Sequence, residues 1–185
     1  MISLFTAIEI PELLRSQLSG LQSADDGAWD ANWVPDENFH ITIAYIGQVE
    51  EPLAADIDTE LSRIRAGGFT LRLKGVNAFG GAKPQMMHAV VEPSEPLIRL
   101  HEKQISILRR LGVQLEKGNR YVPHVTLARP RHAPVERVQR WIAANNLFDS
   151  GPFPVDRFVL FSSHKMGEGR HYEPERDYPL GPALI

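Results

Sequence analysis

The stretch His40-Ile41-Thr42-Ile43 is repeated later in the chain as His124-Val125-Thr126-Leu127, in one pattern of histidine, β-branched residue, threonine and aliphatic residue. Such short, β-branched apolar runs favour strands. Because successive residues of a strand point to opposite faces, each stretch is predicted to place its imidazole and its hydroxyl on one face. The aliphatic residues then point to the other face and into a core.

The similarity continues upstream of both stretches. A short apolar run ends in an acid and a proline at Leu4–Pro11 and again at Ala89–Pro93, and a helical pattern of leucine and isoleucine follows each proline. Glu9 precedes the first histidine by 31 residues, and Glu92 precedes the second by 32. The chain therefore contains an internal repeat with an offset of about 84 residues.

The repeat also continues downstream of the histidines. A second helical pattern follows at residues 51–65 and 134–147. A strand-like segment then begins at Phe69 in the first copy and at Phe153 in the second, 29 residues after the histidine in both cases. Further strands are predicted at the ends of the two copies, at Leu71–Phe79 and Tyr172–Leu180.

These elements predict an α+β protein whose single domain spans residues 1–185, with repeat halves at approximately 1–82 and 83–185. Each half has the order strand, helix, strand, helix, strand, and a pseudo-twofold axis relates the two lobes. Helices are expected to cover one face of each antiparallel sheet, while the other faces meet at a central cleft. The two histidines and the two threonines would then line one groove.

A groove with two imidazoles and two hydroxyls suits phosphodiester hydrolysis. A neutral imidazole can take a proton from an attacking water or hydroxyl, and a protonated one can give a proton to the departing oxygen. An unperturbed histidine pKa of about 6.5 makes both states accessible at neutral pH. Thr42 and Thr126 can donate hydrogen bonds to the non-bridging phosphate oxygens, where charge builds up. A single His-x-Thr is more often an ordinary structural histidine, so it is the repetition that favours catalysis.

Composition excludes several other classes of protein. The chain has no cysteine, which rules out disulfides, zinc fingers and thiol nucleophiles. No metal-binding motif is recognisable in the sequence, so neither a metal nor another cofactor is predicted. No apolar run approaches the roughly 20 residues that span a bilayer, and no basic region precedes the first apolar run, so a cytoplasmic location is expected.

The net charge of −3 argues against a general polyanion-binding protein, but the charges are unevenly distributed. Residues 1–60 contain twelve acids and one base, a net of −11, whereas residues 101–140 contain nine Lys or Arg and three acids, a net of +6. The basic segment could steer a phosphate-bearing ligand, although each charge taken singly is more simply explained as part of a solvated helix face.

The sequence resembles the 2H phosphoesterases, which are named for two His-x-Thr/Ser-x motifs, and is most similar to the bacterial and archaeal RNA 2′,3′-cyclic phosphodiesterases, also called 2′-5′ RNA ligases. The resemblance covers nearly the whole chain. The matching segments are the first strand, the two motifs with their flanks and the closing strands: Leu4–Ile8, Trp33–Pro35, Phe39–Ile43, Ile46-Gly47, Pro123–Arg129, Phe161–Ser163, Gly169, Tyr172 and Tyr178–Leu180.

The resemblance implies a bilobal fold with its site in the central cleft. It implies hydrolysis of a terminal 2′,3′-cyclic phosphate to a 2′-phosphate without metal or nucleotide cofactor, and a weak reverse reaction that joins RNA ends through a 2′-5′ bond. In the family pattern the first histidine is the proton donor and the second is the acceptor, which assigns these roles to His40 and His124. The implied partners are RNA ends with cyclic phosphates, such as tRNA fragments or short oligonucleotides, bound by a monomer without membrane association.

Two residues near the motifs carry further expectations. Met86-Met87-His88 stands where relatives usually have a more apolar strand with an aromatic residue, so His88 is expected to alter the pocket or the substrate preference. Arg129 lies three residues beyond Thr126 and would face away from the site on a regular strand. It is therefore a candidate phosphate contact only if it reaches round the strand end, and a surface ion pair is the alternative.

Two other functions stay open from the residues. The same chemistry could act on a small cyclic nucleotide or on a cyclic phosphate of the ADP-ribose type, which the modest overall charge allows. A non-catalytic module that binds RNA ends would keep the fold, but binding alone requires no acid–base pair.

Overall fold

The structure is a computed structural model that describes residues 1–22 and 31–182. In this part of the chain the helices are α1 (Glu12–Gln22), α2 (Glu51–Ser62), α3 (Glu95–Arg110) and α4 (Val135–Asn145), with a single 3-10 turn at Asp36–Asn38. The strands are β1 (Ile2–Glu9), β2 (Ala31–Trp33), β3 (His40–Val49), β4 (Phe69–Phe79), β5 (Met86–Val91), β6 (His124–Pro130), β7 (Asp149–Val155), β8 (Arg157–Met166) and β9 (Gly169–Pro179).

Most of the predicted elements are present with adjusted ends. The helical patterns at 51–65 and 134–147 are confirmed as α2 and α4. The segments predicted at Phe69 and Leu71–Phe79 form one strand, β4, and the strand predicted from Tyr172 begins earlier, at Gly169. Within the described ranges, no helix is both long and apolar enough to cross a membrane.

The strands lie side by side in the order β7-β4-β5-β6-β3-β1-β8-β9, with β2 beside β6, and each of these pairings is antiparallel. Two lobes meet between β3 and β6, where Ile41 lies opposite Val125. β1 flanks β3 on one side of this pair as β5 flanks β6 on the other. The mixed helix and antiparallel-strand class predicted from the repeat is therefore confirmed, and the Ile41–Val125 pair marks the centre of its pseudo-symmetry.

The lobes exchange strands, which the repeat alone did not indicate. β4 closes the first copy of the repeat in sequence but pairs with β5 of the second copy, and β8 from the second copy pairs with β1 of the first. The reason lies partly in the tight connection after β4. Gly80 adopts a φ of 111°, and a Cβ there would lie 2.3 Å from the Lys83 carbonyl oxygen, so this position requires glycine to turn the chain straight back into β5.

The helices pack on one face of the sheet, and that face contains the main core. Ile41, Ile43, Val125 and Leu127 are at most 1% exposed and belong to it, as strand alternation predicts. Helix α1 contacts β6 and helix α3 contacts β3, so each of these helices packs on a strand from the other copy of the repeat. A smaller apolar cluster lies on the opposite face, made of Phe5, Ala7, Val159 and Phe161 with Tyr172 packed against it.

Both central strands contain a bulge after the threonine. Two consecutive residues are buried at Ile43-Ala44 in β3 and at Leu127-Ala128 in β6, and the pairing register shifts at both places. A side chain from a helix supports each bulge. His101 of α3 donates from Nδ1 to the Ile43 carbonyl at 2.6 Å, and Gln22 of α1 donates to the Leu127 carbonyl at 3.0 Å. Each bulge reverses the alternation of side chains beyond it.

Candidate active site

His40 is the first residue of β3 and lies on the face away from the helices. Its Nδ1 is 2.7 Å from the Asn38 carbonyl oxygen, which can only accept, so the ring carries its proton on Nδ1. Its Nε2 lies 3.1 Å from the hydroxyl oxygen of Thr42, which shares its face as predicted. The rings of Phe5 and Tyr172 flank the half-buried imidazole at centroid distances of 5.0 and 5.2 Å.

His124 occupies the equivalent position at the start of β6. Its Nδ1 lies 2.7 Å from the Val122 carbonyl oxygen, again two residues earlier. The rings of Phe79 and His88 both have their centroids 5.1 Å from that of His124. In both histidines the Nδ1 proton is therefore committed to the backbone, and Nε2 is left for proton transfer.

The register brings both motifs to one groove. Because β3 and β6 are antiparallel about the Ile41–Val125 pair, each histidine lies toward the threonine of the other strand. The register therefore brings the two strands' histidines to the same groove, and the charge of His124 lowers the pKa of His40. Thr126 donates from its hydroxyl to the Met86 sulfur at 3.4 Å, a weak acceptor that a phosphate oxygen can replace. Because both nitrogens must reach the same phosphate, we predict that Nε2 of His40 and Nε2 of His124 lie about 5–8 Å apart.

Burial dominates the electrostatics of both histidines. It lowers the pKa of His40 below about 6.5, opposed by the Asn38 carbonyl and reinforced by the charge of His124. It also lowers the pKa of His124, opposed by the Val122 carbonyl and reinforced by the charge of Arg129. Both imidazoles therefore favour the neutral form in the unliganded protein, and a bound phosphate anion would shift both toward the protonated form.

Arg129 lies on the groove face, contrary to the expectation for a regular strand. The bulge at Leu127-Ala128 adds one residue on the core side, so the alternation is reversed and the residue five positions after His124 returns to its face. The effect of Arg129 on the pKa of His124 agrees with this position. Tyr45, five positions after His40, is turned to the groove in the same way and lies opposite Phe5.

The sequence did not identify the aromatic walls beside the two histidines. Phe5 and Phe79 lie in segments that were predicted only as strands, and Tyr172 was matched only as part of a closing strand. The signal for Phe5 was available, since strand alternation puts it with Ala7 on the face opposite the helix-covered core. For Phe79 the signal was absent, because its contact with His124 depends on β4 joining the second lobe.

One group in the described part of the chain has metal-ligand atoms close together. Atoms of His164, Glu173 and Glu175 all lie within 4.8 Å of one another, and all three residues are exposed. Ser162 bonds to both His164 and Glu175, and it lies opposite Leu4, whose side chain is in the main core. This group is therefore on the other face of the sheet from His40 and His124.

Comparison with known proteins identifies a family for this chain. Residues 10–167 match the family described as the 2′-5′ RNA ligase superfamily. An RNA 2′,3′-cyclic phosphodiesterase of Thermotoga maritima is 30% identical over 179 residues, which cover 91% of this chain and 90% of that protein. A protein of the same name from Aeropyrum pernix is 40% identical over 102 residues, 54% of this chain and 57% of that protein.

Solved structures are similar over almost the full length. The protein TT0787 of Thermus thermophilus has a TM-score of 0.86 at 27% identity and covers 98% of this chain and 99% of its own. Escherichia coli LigT in apo form has a TM-score of 0.81 at 23% identity, over 97% and 98% of the two chains. The same protein in complex with 3′-AMP has a TM-score of 0.77 at 22% identity, over the same shares.

Proposed function

This chain belongs to the 2′-5′ RNA ligase superfamily, and from that premise we propose that it hydrolyses a 2′,3′-cyclic phosphate at an RNA end to a 2′-phosphate. The resemblance to the 2H phosphoesterases seen in the sequence is confirmed by the same match. The observation that carries the proposal is the pair of histidines on one groove face, each anchored through Nδ1 with Nε2 left for chemistry. A pure binding site needs no such pair.

In this mechanism His124 is the base and His40 is the acid. The Nε2 of His124 takes a proton from water as the water oxygen attacks phosphorus opposite the 3′-oxygen. The bond from phosphorus to the 3′-oxygen breaks, and protonated His40 gives its Nε2 proton to that oxygen. Thr42 and Thr126 donate to the non-bridging oxygens. One cycle leaves a 2′-phosphate, neutral His40 and protonated His124, and exchange with solvent restores the starting states.

Burial lowers the pKa of both histidines, so the electrostatics are compatible with this division of roles, which itself comes from the family pattern. A lowered pKa keeps His124 unprotonated and ready to accept a proton. The pKa of His40 is also lowered in the free protein, so its protonation depends on the substrate. The negative charge of the phosphate, which Thr42 would hold beside Nε2, supplies the required stabilisation of the imidazolium.

The substrates proposed are RNA ends with cyclic phosphates, such as tRNA fragments or short oligonucleotides. The LigT complex with 3′-AMP supports a nucleotide ligand for this fold. The position of Arg129 on the groove face supports a further phosphate contact. If a 5′-hydroxyl of a second RNA takes the place of water, the same acid and base give a 2′-5′ bond, and this step, the reverse of 2′-5′ bond cleavage to a cyclic phosphate, is the proposed ligation. A monomeric state and a cytoplasmic location stay predictions.

Turnover of three cyclic phosphates tests the proposal against its rivals. An oligonucleotide with a 2′,3′-cyclic end, a 2′,3′-cyclic mononucleotide and an ADP-ribose cyclic phosphate would be compared by kcat/KM, with the phosphate position in the product assigned by ³¹P NMR. Preference for the oligonucleotide and a 2′-phosphate product are expected. Preference for a small substrate would favour the alternative phosphodiesterase, and binding of the oligonucleotide without turnover would favour a binding module.

A further inference from the structure

His88 is a third histidine on the groove face, and the mechanism above does not use it. It lies in β5 directly opposite Thr126 of β6. The equivalent position in the other lobe is held by Ala7, which lies opposite Thr42. The two motifs therefore have the same residues, but the strand beside them differs: a large side chain, His88, lies in the second lobe where the first has only alanine.

The ring of His88 is packed between two others. It stacks on Phe79 with the centroids 4.2 Å apart and the planes at 22°, and its centroid lies 5.1 Å from that of His124 at 59°. Only 3% of the residue is exposed. The stack of Phe79 and His88 therefore forms one wall against which the imidazole of His124 rests.

His88 is uncharged at neutral pH. Burial is the main cause and the charge of His124 adds to it, while the Met86 carbonyl acts in the opposite direction, and together they lower the pKa of His88 to about 4. A ring with this pKa carries no proton to or from a substrate at pH 7. Its contribution must come through its shape and its contacts.

Stability of the core does not account for a histidine here. The Nδ1 atom of His88 is buried, and although the Met86 carbonyl affects the pKa of the ring, no contact of Nδ1 among the described residues has the geometry of a hydrogen bond. An unpartnered buried polar atom costs free energy, which an apolar ring of the same shape would avoid. Buried polar atoms without good partners, in a protein whose other buried groups are satisfied, are found mainly at functional sites.

We propose that His88 is a positioning residue for His124, and that with Phe79 it fixes the plane of the catalytic imidazole and keeps water from that side of it. This inference rests on the proposed function, in which His124 is the base. Among the described residues, the titratable or charged groups that interact with His124 include His88 on β5, His40 on β3 and Arg129 on β6. Of these, His88 is the one in ring contact with it, so His88 contributes most directly to its burial.

The replacement of His88 by alanine separates this role from a simple packing role. His88→Ala leaves room beside His124, and loss of orientation by about 1 Å is expected to lower kcat by about 10- to 100-fold. KM should stay within about twofold, because the threonines that hold the phosphate are untouched. Water entering the space would reduce desolvation, so the pKa of His124 should rise toward about 6.5, and the acid limb of kcat/KM should move to higher pH.

A ring without nitrogen provides the conservative variant. His88→Phe keeps the stack, so kcat and the titration of His124, followed by NMR of the histidine ring protons, should stay close to wild type. Met87→Ala is the matched control, because Met87 is the neighbouring residue of β5 and is fully buried on the helix-covered face. It should lower the melting temperature without moving the pKa of His124. If the alanine variant does not fold, His88→Val, which suits a strand, makes the same test.

Two results would overturn the proposal. One is an alanine or valine variant with the kcat and the His124 titration of wild type. The other is a phenylalanine variant as impaired as the alanine variant, which would place the nitrogen of His88 in the chemistry itself. The titration needs no substrate, so it can be read even if the wild-type protein turns over no cyclic phosphate. In that case the proposed function fails while the contact between His88 and His124 is still tested.

Discussion

Each of the two histidines proposed as catalytic is held by the carbonyl group two residues earlier in the chain. The bonds from His40 to Asn38 and from His124 to Val122 have the same length, 2.7 Å. Such a local bond needs no distant residue, so it forms wherever the chain enters the strand in the same way. This explains how two separate segments present Nε2 in the same manner, and why the His-x-Thr pattern alone could predict the pair.

Removal of either ring should abolish most activity and leave the fold intact. If one imidazole is the acid and the other the base, His40→Ala and His124→Ala should each lower kcat by about 100- to 10,000-fold. Both side chains are only half-buried, so thermal unfolding should change little. Near-wild-type turnover by either variant, measured on a cyclic-phosphate oligonucleotide, would remove that residue from the mechanism.

The pH dependence should show the lowered pKa values directly. Burial disfavours the imidazolium, so His124 should become protonated only below about pH 6.5, and kcat/KM should keep its value to lower pH than an ordinary histidine base allows.

Binding of a 2′-phosphate nucleotide should raise the pKa of His40, because the anion stabilises the protonated ring. NMR titration of both rings with and without that ligand makes the test. If the ligand does not change the pKa of His40, then the substrate does not promote protonation of His40, and its proposed role as the acid is contradicted.

At the scale of strands, the alternation of side chains could be predicted only as far as the bulges. The assignment of Ile41 and Val125 to the core is confirmed. Thr42 shares the face of His40, as alternation predicts. The prediction for Arg129 was wrong because a bulge follows Thr126. A bulge depends on partners far away in sequence, here the contact of Gln22 with the Leu127 carbonyl, and no local pattern contains that information.

The corrected position of Arg129 has a measurable consequence. Arg129→Ala should raise KM for an oligonucleotide, and the slope of log affinity against log salt should fall by about 0.7 if one phosphate contact is lost. The value of kcat should change little, since the arginine holds no transferring proton. Arg99→Ala removes the same charge from an exposed position on α3 and serves as the control. Equal salt slopes for the Arg129 variant and the control would rule out the contact.

At the scale of the whole molecule, the repeat predicted two similar lobes but not how they are joined. The order of the elements in each copy is apparent from hydrophobic periodicity, which is a local property. The exchange of β4 and β8 between lobes is decided by which strands become neighbours in space. Helices from the two copies of the repeat also pack together, since the indole N–H of Trp141 in α4 donates to the Leu21 carbonyl of α1 at 3.1 Å.

This exchange leads to a prediction about the single domain. Residues 1–82 alone would keep β1 and β3 but leave β4 without β5 and β7, and residues 83–185 alone would leave β8 without β1. Unpaired strand edges and uncovered apolar faces should prevent either half from folding. Each purified half is therefore expected to lack cooperative thermal unfolding by circular dichroism, whereas refolding the two together should restore it along with turnover. A single half that unfolds cooperatively would show that the lobes are independent, and the groove between β3 and β6 would then be an interface between two domains instead of the centre of one.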